Sequence, residues 1–181
     1  MIRTSTDFYS YLFQQEQGIT AVYFSTNTET EYRVYFYPIS EYFEGLGSDT
    51  QLFHYGYFFG FTKLAPNETK VEPLDFKIRN TILKIIEEFF EERGHENVLI
   101  FYCDNDDGKK SKRSICFDAW YLLSGASSQF NKYDEVIIFT DEYGTQIDSD
   151  YISLIVASKN HHLEQIVEEF QLIKQQLNEN K

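Results

Sequence analysis

Residues 97–121 read NVLIFYCDNDDGKKSKRSICFDAWY, and the rest of the chain is organised around them. The apolar run at 98–103 lacks the alternation of a half-exposed strand, which predicts a central strand covered on both faces. An acidic loop ending in Gly108 follows, and residues 109–123 then show helical spacing. The stretch predicts a strand, a tight loop and a helix at the centre of the fold.

Hydrophobic patterning predicts further elements on both sides of this stretch. Gly94 is a typical residue just beyond a helix end, and Asn160 is a typical helix cap. The expected elements are strands at 20–25, 32–37, 53–62, 135–140 and 151–158, a loop at 126–132, and helices beginning at 75 and after 160. This order is an antiparallel β-meander followed by α-β-α-β-β-α. It predicts the α+β class, with helices packed on a largely antiparallel sheet. At 181 residues, a single α+β domain over 1–181 is expected.

The segment 53–62 shows the strictest alternation in the chain. Its aromatic residues share one face, and Gly56 and Gly60 lie on the other. Two glycines on one strand face indicate a bend or a close approach to the backbone. We expect a helix or a large ring over them, with a bound ligand as the alternative.

The chain carries 29 acidic and 16 basic residues, for a net charge of −13. This balance is the reverse of what a general nucleic-acid binder needs, so no nucleic acid is expected. It favours a basic protein partner if the acidic residues cluster, and otherwise simply solvates the surface. Aromatic residues make up 18% of the chain, which indicates a folded domain.

Cysteine usage and the N-terminus bear on the compartment. Cys103 and Cys116 both fall in segments expected to be buried, which favours reduced thiols over a disulfide. The first residues lack the apolar core of a signal peptide, and no apolar run reaches the roughly 18 residues of a membrane span. We therefore expect a cytoplasmic protein with no membrane association; the oligomeric state is not predicted.

The acidic loop is a weak candidate for a metal site. Asp104, Asp106 and Asp107 follow an apolar strand, and three carboxylates could hold Mg²⁺ or Ca²⁺. The spacing is not that of an EF-hand, because Gly108 comes one position early. The alternative is an ordinary acidic turn in which Asp107 caps the following helix.

The basic cluster after this loop is a candidate anion site. Lys109, Lys110 and Arg113 open the predicted helix, where backbone N–H groups attract anions. No complete phosphate-binding motif occurs in the chain, and the alternative is that these cations pair with the preceding aspartates. Phe117 and Trp120 follow at helical spacing and are expected to pack in the core. No catalytic triad is recognisable, so we expect no catalytic residue and no cofactor, and lean towards a protein that is not an enzyme.

The pattern Tyr102-Cys103-Asp104…Asp107-Gly108-Lys109…Arg113…Phe117…Trp120 resembles a family of short bacterial proteins that share a domain of unknown function. The strand Tyr32-Arg33-Val34-Tyr35-Phe36 also looks similar, and the likeness spans roughly residues 20–175. The resemblance implies a shared domain and no particular activity.

A weaker resemblance, in element order alone, is to GNAT-type N-acetyltransferases. In that family a glycine-containing loop at a helix start holds the pyrophosphate of acyl-CoA. The corresponding residues here, 71–77, read VEPLDFK and contain no glycine and two acids. That departure counts against acyl-CoA binding.

These observations favour a non-enzymatic protein-binding domain of the immunity-protein or antitoxin kind. The alternative is a GNAT-like acyltransferase, or a small anion- or metal-binding domain, that uses the 104–113 loop.

Replacing Arg113 by Ala separates the two interpretations of the basic cluster. If Arg113 forms an exposed ion pair, the free energy of unfolding falls by at most about 1 kcal/mol. If Arg113 binds an anion, stability changes little and binding of phosphate-bearing ligands is lost. In a thermal-shift screen with CoA esters, nucleotides, Mg²⁺ and Ca²⁺, we expect no shift. A ligand-dependent shift that disappears in Arg113→Ala would contradict the protein-binding interpretation.

Overall fold

The computed structural model describes residues 7–42, 47–64, 75–103, 110–123, 125 and 128–179, with backbone alone at 110–113, 123 and 179. Within these residues the strands are β1 (Tyr11–Glu16), β2 (Ile19–Ser25), β3 (Glu31–Pro38), β4 (Gly56–Leu64), β5 (Val98–Cys103), β6 (Phe130–Thr140) and β7 (Gln146–Ala157). The helices are α1 (Gln51–Tyr55), α2 (Phe76–Arg93), α3 (Lys110–Leu123) and α4 (Leu163–Glu179), with a short 3₁₀ helix at Ile39–Glu41.

The predicted class is confirmed: the protein is α+β, with helices packed on a mostly antiparallel sheet. The strands are hydrogen-bonded in the order β1-β2-β3-β4-β5-β7-β6. β1–β2, β2–β3, β5–β7 and β6–β7 are antiparallel, whereas β4 and β5 are parallel. A parallel pair requires a crossover connection, and the segment between β4 and β5 contains α2.

Backbone packing divides the chain into two compact units. The first comprises Met1–Tyr37 and Gly60–Gly94, and the second comprises Pro38–Phe59 and His95–Lys181. The boundary falls inside β4, which contributes to both. That all 181 residues form one domain stays a prediction.

In the first unit, α2 forms as its sequence predicts. The side chain of Asp75 accepts a hydrogen bond from the Lys77 N–H at 2.8 Å, and Gly94 ends the helix with a φ of 94°. Within the core of this unit, Phe36 of β3 stacks on Phe89 of α2 with ring centroids 4.2 Å apart. The sheet and the helix are therefore held together by aromatic packing.

In the second unit, α4 packs along β5 and the β6–β7 hairpin. Its apolar stripe is the one expected from the sequence, with Ile166, Phe170 and Ile173 fully buried against Val98 and Ile100 of β5. The side chain of Asn160 accepts the His162 N–H at 2.8 Å just before the helix. The same side chain donates to the carbonyls of residues 95 and 96, which ties the start of α4 to the start of β5.

The prediction of a strand over 53–62 is wrong at its beginning, because Gln51–Tyr55 is the short helix α1. The Thr50 hydroxyl accepts the Phe53 N–H at 3.2 Å. The buried carboxylate of Glu169 in α4 accepts the N–H groups of Gln51 and Leu52, at 3.0 and 2.8 Å. One local cap and two hydrogen bonds to a distant helix therefore stabilise α1, although the alternating aromatic pattern favours a strand.

Three further expectations are corrected by the structure. The loop expected at 126–132 already enters β6 at Phe130, and the strand expected at 151–158 begins earlier, at Gln146 of β7. The connection between β6 and β7 is a tight turn in which the Asp141 side chain accepts the N–H groups of Tyr143 and Thr145, at 2.9 and 2.8 Å. Cys116 is exposed rather than buried, because it lies on the outer side of α3, whereas Cys103 is buried.

Glu169→Ala tests the contact between α4 and α1. The substitution leaves two N–H groups without their acceptor, so we expect the free energy of unfolding to fall by about 1–3 kcal/mol. Glu168→Ala, at an exposed position on the same helix, is the control and should change it by less than about 0.5 kcal/mol. Urea denaturation of both variants measures the difference, and equal losses would show that the Glu169 contact has no special weight.

Candidate functional site

The acidic–basic loop singled out in the sequence lies largely outside the described residues. Asp104, Asp106, Asp107 and Lys109 belong to the segment 104–109. Lys110 and Arg113 lie in the first turns of α3, where the backbone alone is described. The anion site and the metal site at this loop therefore stay predictions.

The two aromatic residues expected to pack α3 lie against the sheet or against each other. Phe117 is buried and stacks on Phe101 of β5 with ring centroids 3.8 Å apart. Phe117 and Phe59 of β4 form a T-shaped pair with ring centroids 5.6 Å apart. The ring centroids of Phe117 and the half-buried Trp120 are 5.3 Å apart. This aromatic cluster positions the helix over β5.

The two glycines of the predicted 53–62 strand are both closely approached. A Cβ atom at Gly60 would collide with the phenol ring of Tyr35, and one at Gly56 would collide with the Leu52 carbonyl oxygen. In the first case a ring covers the glycine, and in the second the end of α1 does. Both are packing contacts within one unit and leave no space for a ligand.

Helix α3 and the β6–β7 hairpin enclose a small polar pocket that the sequence does not predict. We call it the carboxylate pocket and define it by Asp118, Lys132, Asp134 and Ser153. The Lys132 ammonium donates to Asp118 at 2.5 Å and also to Asp134. The Ser153 hydroxyl donates to the same Asp134 oxygen at 2.6 Å. Among the described side chains, two carboxylates therefore share a single positive charge.

Exposure within this pocket is very uneven. The Lys132 side chain is only 4% exposed, whereas the Asp118 and Asp134 side chains are 47% and 56% exposed. In the hydrogen bonds of the described side chains, both aspartates use Oδ1. The remaining oxygens can accept further donors from solvent or from a bound molecule. The pocket is thus a negatively charged opening with its cation on the inside.

Exposed apolar side chains continue from the pocket along the hairpin. Side chains alternate along a strand, so Val136 and Ile138 share a face of β6 with Lys132 and Asp134. Ile138 pairs with Ser149, and the exposed Ile147 lies two residues before Ser149, at the irregularity where the pairing passes from Phe139–Asp148 to Thr140–Gln146. Val136, Ile138 and Ile147 are 40%, 46% and 67% exposed. We call these three residues the hairpin face.

The opposite face of the same hairpin is covered by α4. Glu135 pairs with Lys174 at 2.5 Å and accepts from Gln171 at 2.7 Å. These two hydrogen bonds lower the pKa of the Glu135 carboxyl from its usual value. Asn178 of α4 also accepts the Ile138 N–H at 3.1 Å, on the outer edge of β6. Helix α4 therefore occupies one face and part of the edge, and within the described part of the chain the hairpin face is the side that remains exposed.

The first unit carries a separate, broader groove. It has a volume of about 680 Å³ and includes Tyr9, Tyr11, Leu12, Tyr23 and Glu31 in its lining. Burial raises the pKa of the Tyr11 phenol, as do its hydrogen bond to Glu88 and nearby glutamate charges. This groove is lined by several aromatic rings and by one acidic side chain, Glu31.

The start of α2 bears on acyl-CoA binding. The carboxylate of Asp75 accepts the Lys77 N–H with one oxygen and the Tyr9 hydroxyl, at 2.5 Å, with the other. A negative charge thus occupies the helix terminus that would have to bind a pyrophosphate. This arrangement opposes the anion binding that the acetyltransferase resemblance implies.

Among the described side chains, no three His, Cys, Asp or Glu residues come together as a metal site would require. No described helix combines the length and the apolar character that a bilayer crossing requires.

The chain matches the model of a family of unknown function, DUF6169, over residues 74–172, and it belongs to that family. The expected resemblance to a domain of unknown function is confirmed, although the match begins at residue 74 rather than near 20. No curated protein matches the chain, and no solved structure matches it. The likeness to N-acetyltransferases therefore finds no support. All residues of the carboxylate pocket and the hairpin face lie within the matched span, whereas β1, β2, β3 and β4 precede it.

The signals that would have located this site are weak in the sequence. Asp118 falls in the helix predicted over 109–123, Lys132 at the end of the loop predicted over 126–132, and Ser153 in the strand predicted over 151–158. The one signal is the two-residue spacing of Lys132, Asp134, Val136 and Ile138, which indicates that these residues share one face of a strand.

Phe117→Ala tests whether the aromatic cluster holds α3 on the sheet. Removing a buried ring that stacks on Phe101 should lower the free energy of unfolding by about 3–5 kcal/mol. Ile115→Ala, at an exposed position on the same helix, is the control and should have an effect below about 0.5 kcal/mol. Chemical denaturation measures both. A loss for Phe117→Ala no larger than that of the control would mean that the cluster does not anchor the helix.

Proposed function

We propose that this protein is a non-enzymatic protein-binding module that engages a basic partner through the hairpin face and the carboxylate pocket. Its mode of action would be that of an immunity protein or antitoxin, which acts by covering a surface of its partner. The observation that carries the proposal is the open apolar hairpin face, which lies directly beside half-exposed carboxylates.

The apolar residues supply the affinity in this proposal. Val136 and Ile138 each expose at least 40% of their surface on one side of a hairpin whose other side α4 covers, and Ile147, at the bulge of the partner strand, is 67% exposed. Contiguous exposed apolar side chains with a polar rim are characteristic of protein–protein interaction sites. A partner that covers this face removes apolar surface from water.

The acidic residues determine the partner's charge. The chain has 13 more acidic than basic residues, and the carboxylate pocket holds two carboxylates for one ammonium. A basic partner surface would approach faster in this field, and added salt would slow it.

The alternative, a small anion- or metal-binding domain or a GNAT-like acyltransferase, relies on the 104–113 loop. The carboxylate of Asp75 at the start of α2 counts against an acyl-CoA ligand. The ligand screen with Arg113→Ala is the test that would favour this alternative over protein binding.

Affinity capture with matched variants tests the proposal. Wild type, Ile138→Ser and Ile115→Ser are immobilised and exposed to lysate of the source cells, and bound proteins are identified by mass spectrometry. Both isoleucines are exposed, but only Ile138 lies on the hairpin face. We expect a basic protein that wild type and Ile115→Ser retain and Ile138→Ser loses.

The association rate of that protein is then measured at two salt concentrations. We expect it to fall as salt rises, because the steering charges are screened over about 10 Å at 0.1 M salt. A partner whose capture does not depend on Ile138, or whose association rate ignores salt, would contradict the proposal.

A further inference from the structure

We propose that the carboxylate pocket receives one arginine side chain of the bound protein, between Asp118 and Asp134. This inference rests on the proposed function and assigns the chemistry of the residue that the partner contributes.

The charge balance of the described pocket side chains leaves room for one further cation. Lys132 is buried and contacts both carboxylates, so the positive charge lies on the protein side. Asp118 and Asp134 are about half exposed on the solvent side, with oxygens that the described contacts leave available. Covering these carboxylates with an apolar partner surface would strip their water without replacing it, which is costly. A cationic group at the same place would compensate for the lost hydration.

The size of the pocket indicates a single side chain. Its volume is about 210 Å³. Pockets that hold whole small molecules measure roughly 300–1,000 Å³. The carboxylate pocket is therefore too small for a nucleotide or a cofactor, but it opens directly onto the hairpin face. A side chain projecting from a partner that covers this face would enter it.

The arrangement of acceptors favours a guanidinium over other cations. Both carboxylates touch the same Lys132 ammonium, so they lie close enough for one planar group to reach both. Arginine presents five donors in a fixed fork and is more weakly hydrated than lysine, which suits it to desolvated carboxylate contacts. A divalent metal ion would have to sit beside the ammonium of Lys132 and is disfavoured by like-charge repulsion.

The hairpin face defines what flanks the arginine. Val136 is part of the pocket lining and is followed on the same face by Ile138. Apolar residues next to the arginine in the partner's sequence would therefore contact Val136 and Ile138 of the hairpin face. Asn178 already occupies the Ile138 N–H at the edge of β6, so the partner segment lies on the face and does not extend the sheet there.

Binding of defined peptides tests the inference. The probes are acetyl-Ala-Val-Arg-Val-Ala-amide and the same peptide with citrulline, which keeps the shape of arginine but carries no charge. Titration of ¹⁵N-labelled protein, followed by amide chemical shifts, gives the dissociation constants. We expect the arginine peptide to bind at least about tenfold more tightly, and to shift the amides of β6 and α3 around the pocket.

Three variants locate the effect. Asp134→Asn and Asp118→Asn should each reduce or abolish the preference for arginine over citrulline. Glu142→Gln, in the exposed turn of the same hairpin, removes the same formal charge away from the pocket and should leave the preference unchanged. The amide spectra of the variants show whether each one is folded, and thermal melts give their stability.

The outcomes separate this inference from the proposed function. Equal affinities for the two peptides, both weakened by Ile138→Ser, would overturn the arginine assignment and support the hairpin face as a binding surface. A preference that falls equally in Glu142→Gln and Asp134→Asn would reflect general charge attraction and would also overturn it. If neither peptide binds, the arginine assignment fails, and the capture experiment with Ile138→Ser decides the proposed function by itself.

Discussion

The burial of β5 on both faces is the constraint on which the second unit depends. Four consecutive residues, Val98 to Phe101, are at most 4% exposed, so each face of this strand needs an apolar cover. On one face Val98 and Ile100 pack with the stripe of α4, and on the other Phe101 stacks on Phe117 of α3. Both helices are thus positioned by one strand, and they in turn determine which parts of the β6–β7 hairpin are covered.

The exposed hairpin face arises because α3 and α4 cover different lengths of the β6–β7 hairpin. Helix α4 covers its face of the hairpin past Glu135, since Ile137 is buried in the same core and Phe139 packs against it, and it touches the edge at Ile138. On the other face, Asp118 of α3 contacts Lys132 of β6. Ser114, one turn earlier in α3, lines the pocket together with Asp134 and Val136 of β6. The hairpin extends beyond them, which leaves Ile138 and Ile147 exposed. The pocket forms where the covered and exposed parts of this face meet.

How much of this the sequence predicts depends on how local each signal is. The stripes of α2 and α4 and the apolar run of β5 repeat within one element, so the class, the element order and the central strand are predictable. Helix α1 is not, because the carboxylate that caps it comes from Glu169, more than a hundred residues away. The carboxylate pocket escapes prediction for the same reason. Asp118, Lys132 and Ser153 look like ordinary polar residues until α3 packs against the hairpin.

The burial of Lys132 is itself an argument that the pocket is more than architecture. Placing an ammonium at 4% exposure sacrifices its hydration, and buried ion pairs are weak contributors to stability compared with apolar residues of similar size. A chain selected for stability alone could fill this space with an aliphatic side chain and leave the aspartates in water. With Lys132 in place, two carboxylates are drawn together at the surface, and the described side chains neutralise only half of their charge. That arrangement has a use if a second cation comes from outside, and the adjoining apolar face gives such a cation a carrier.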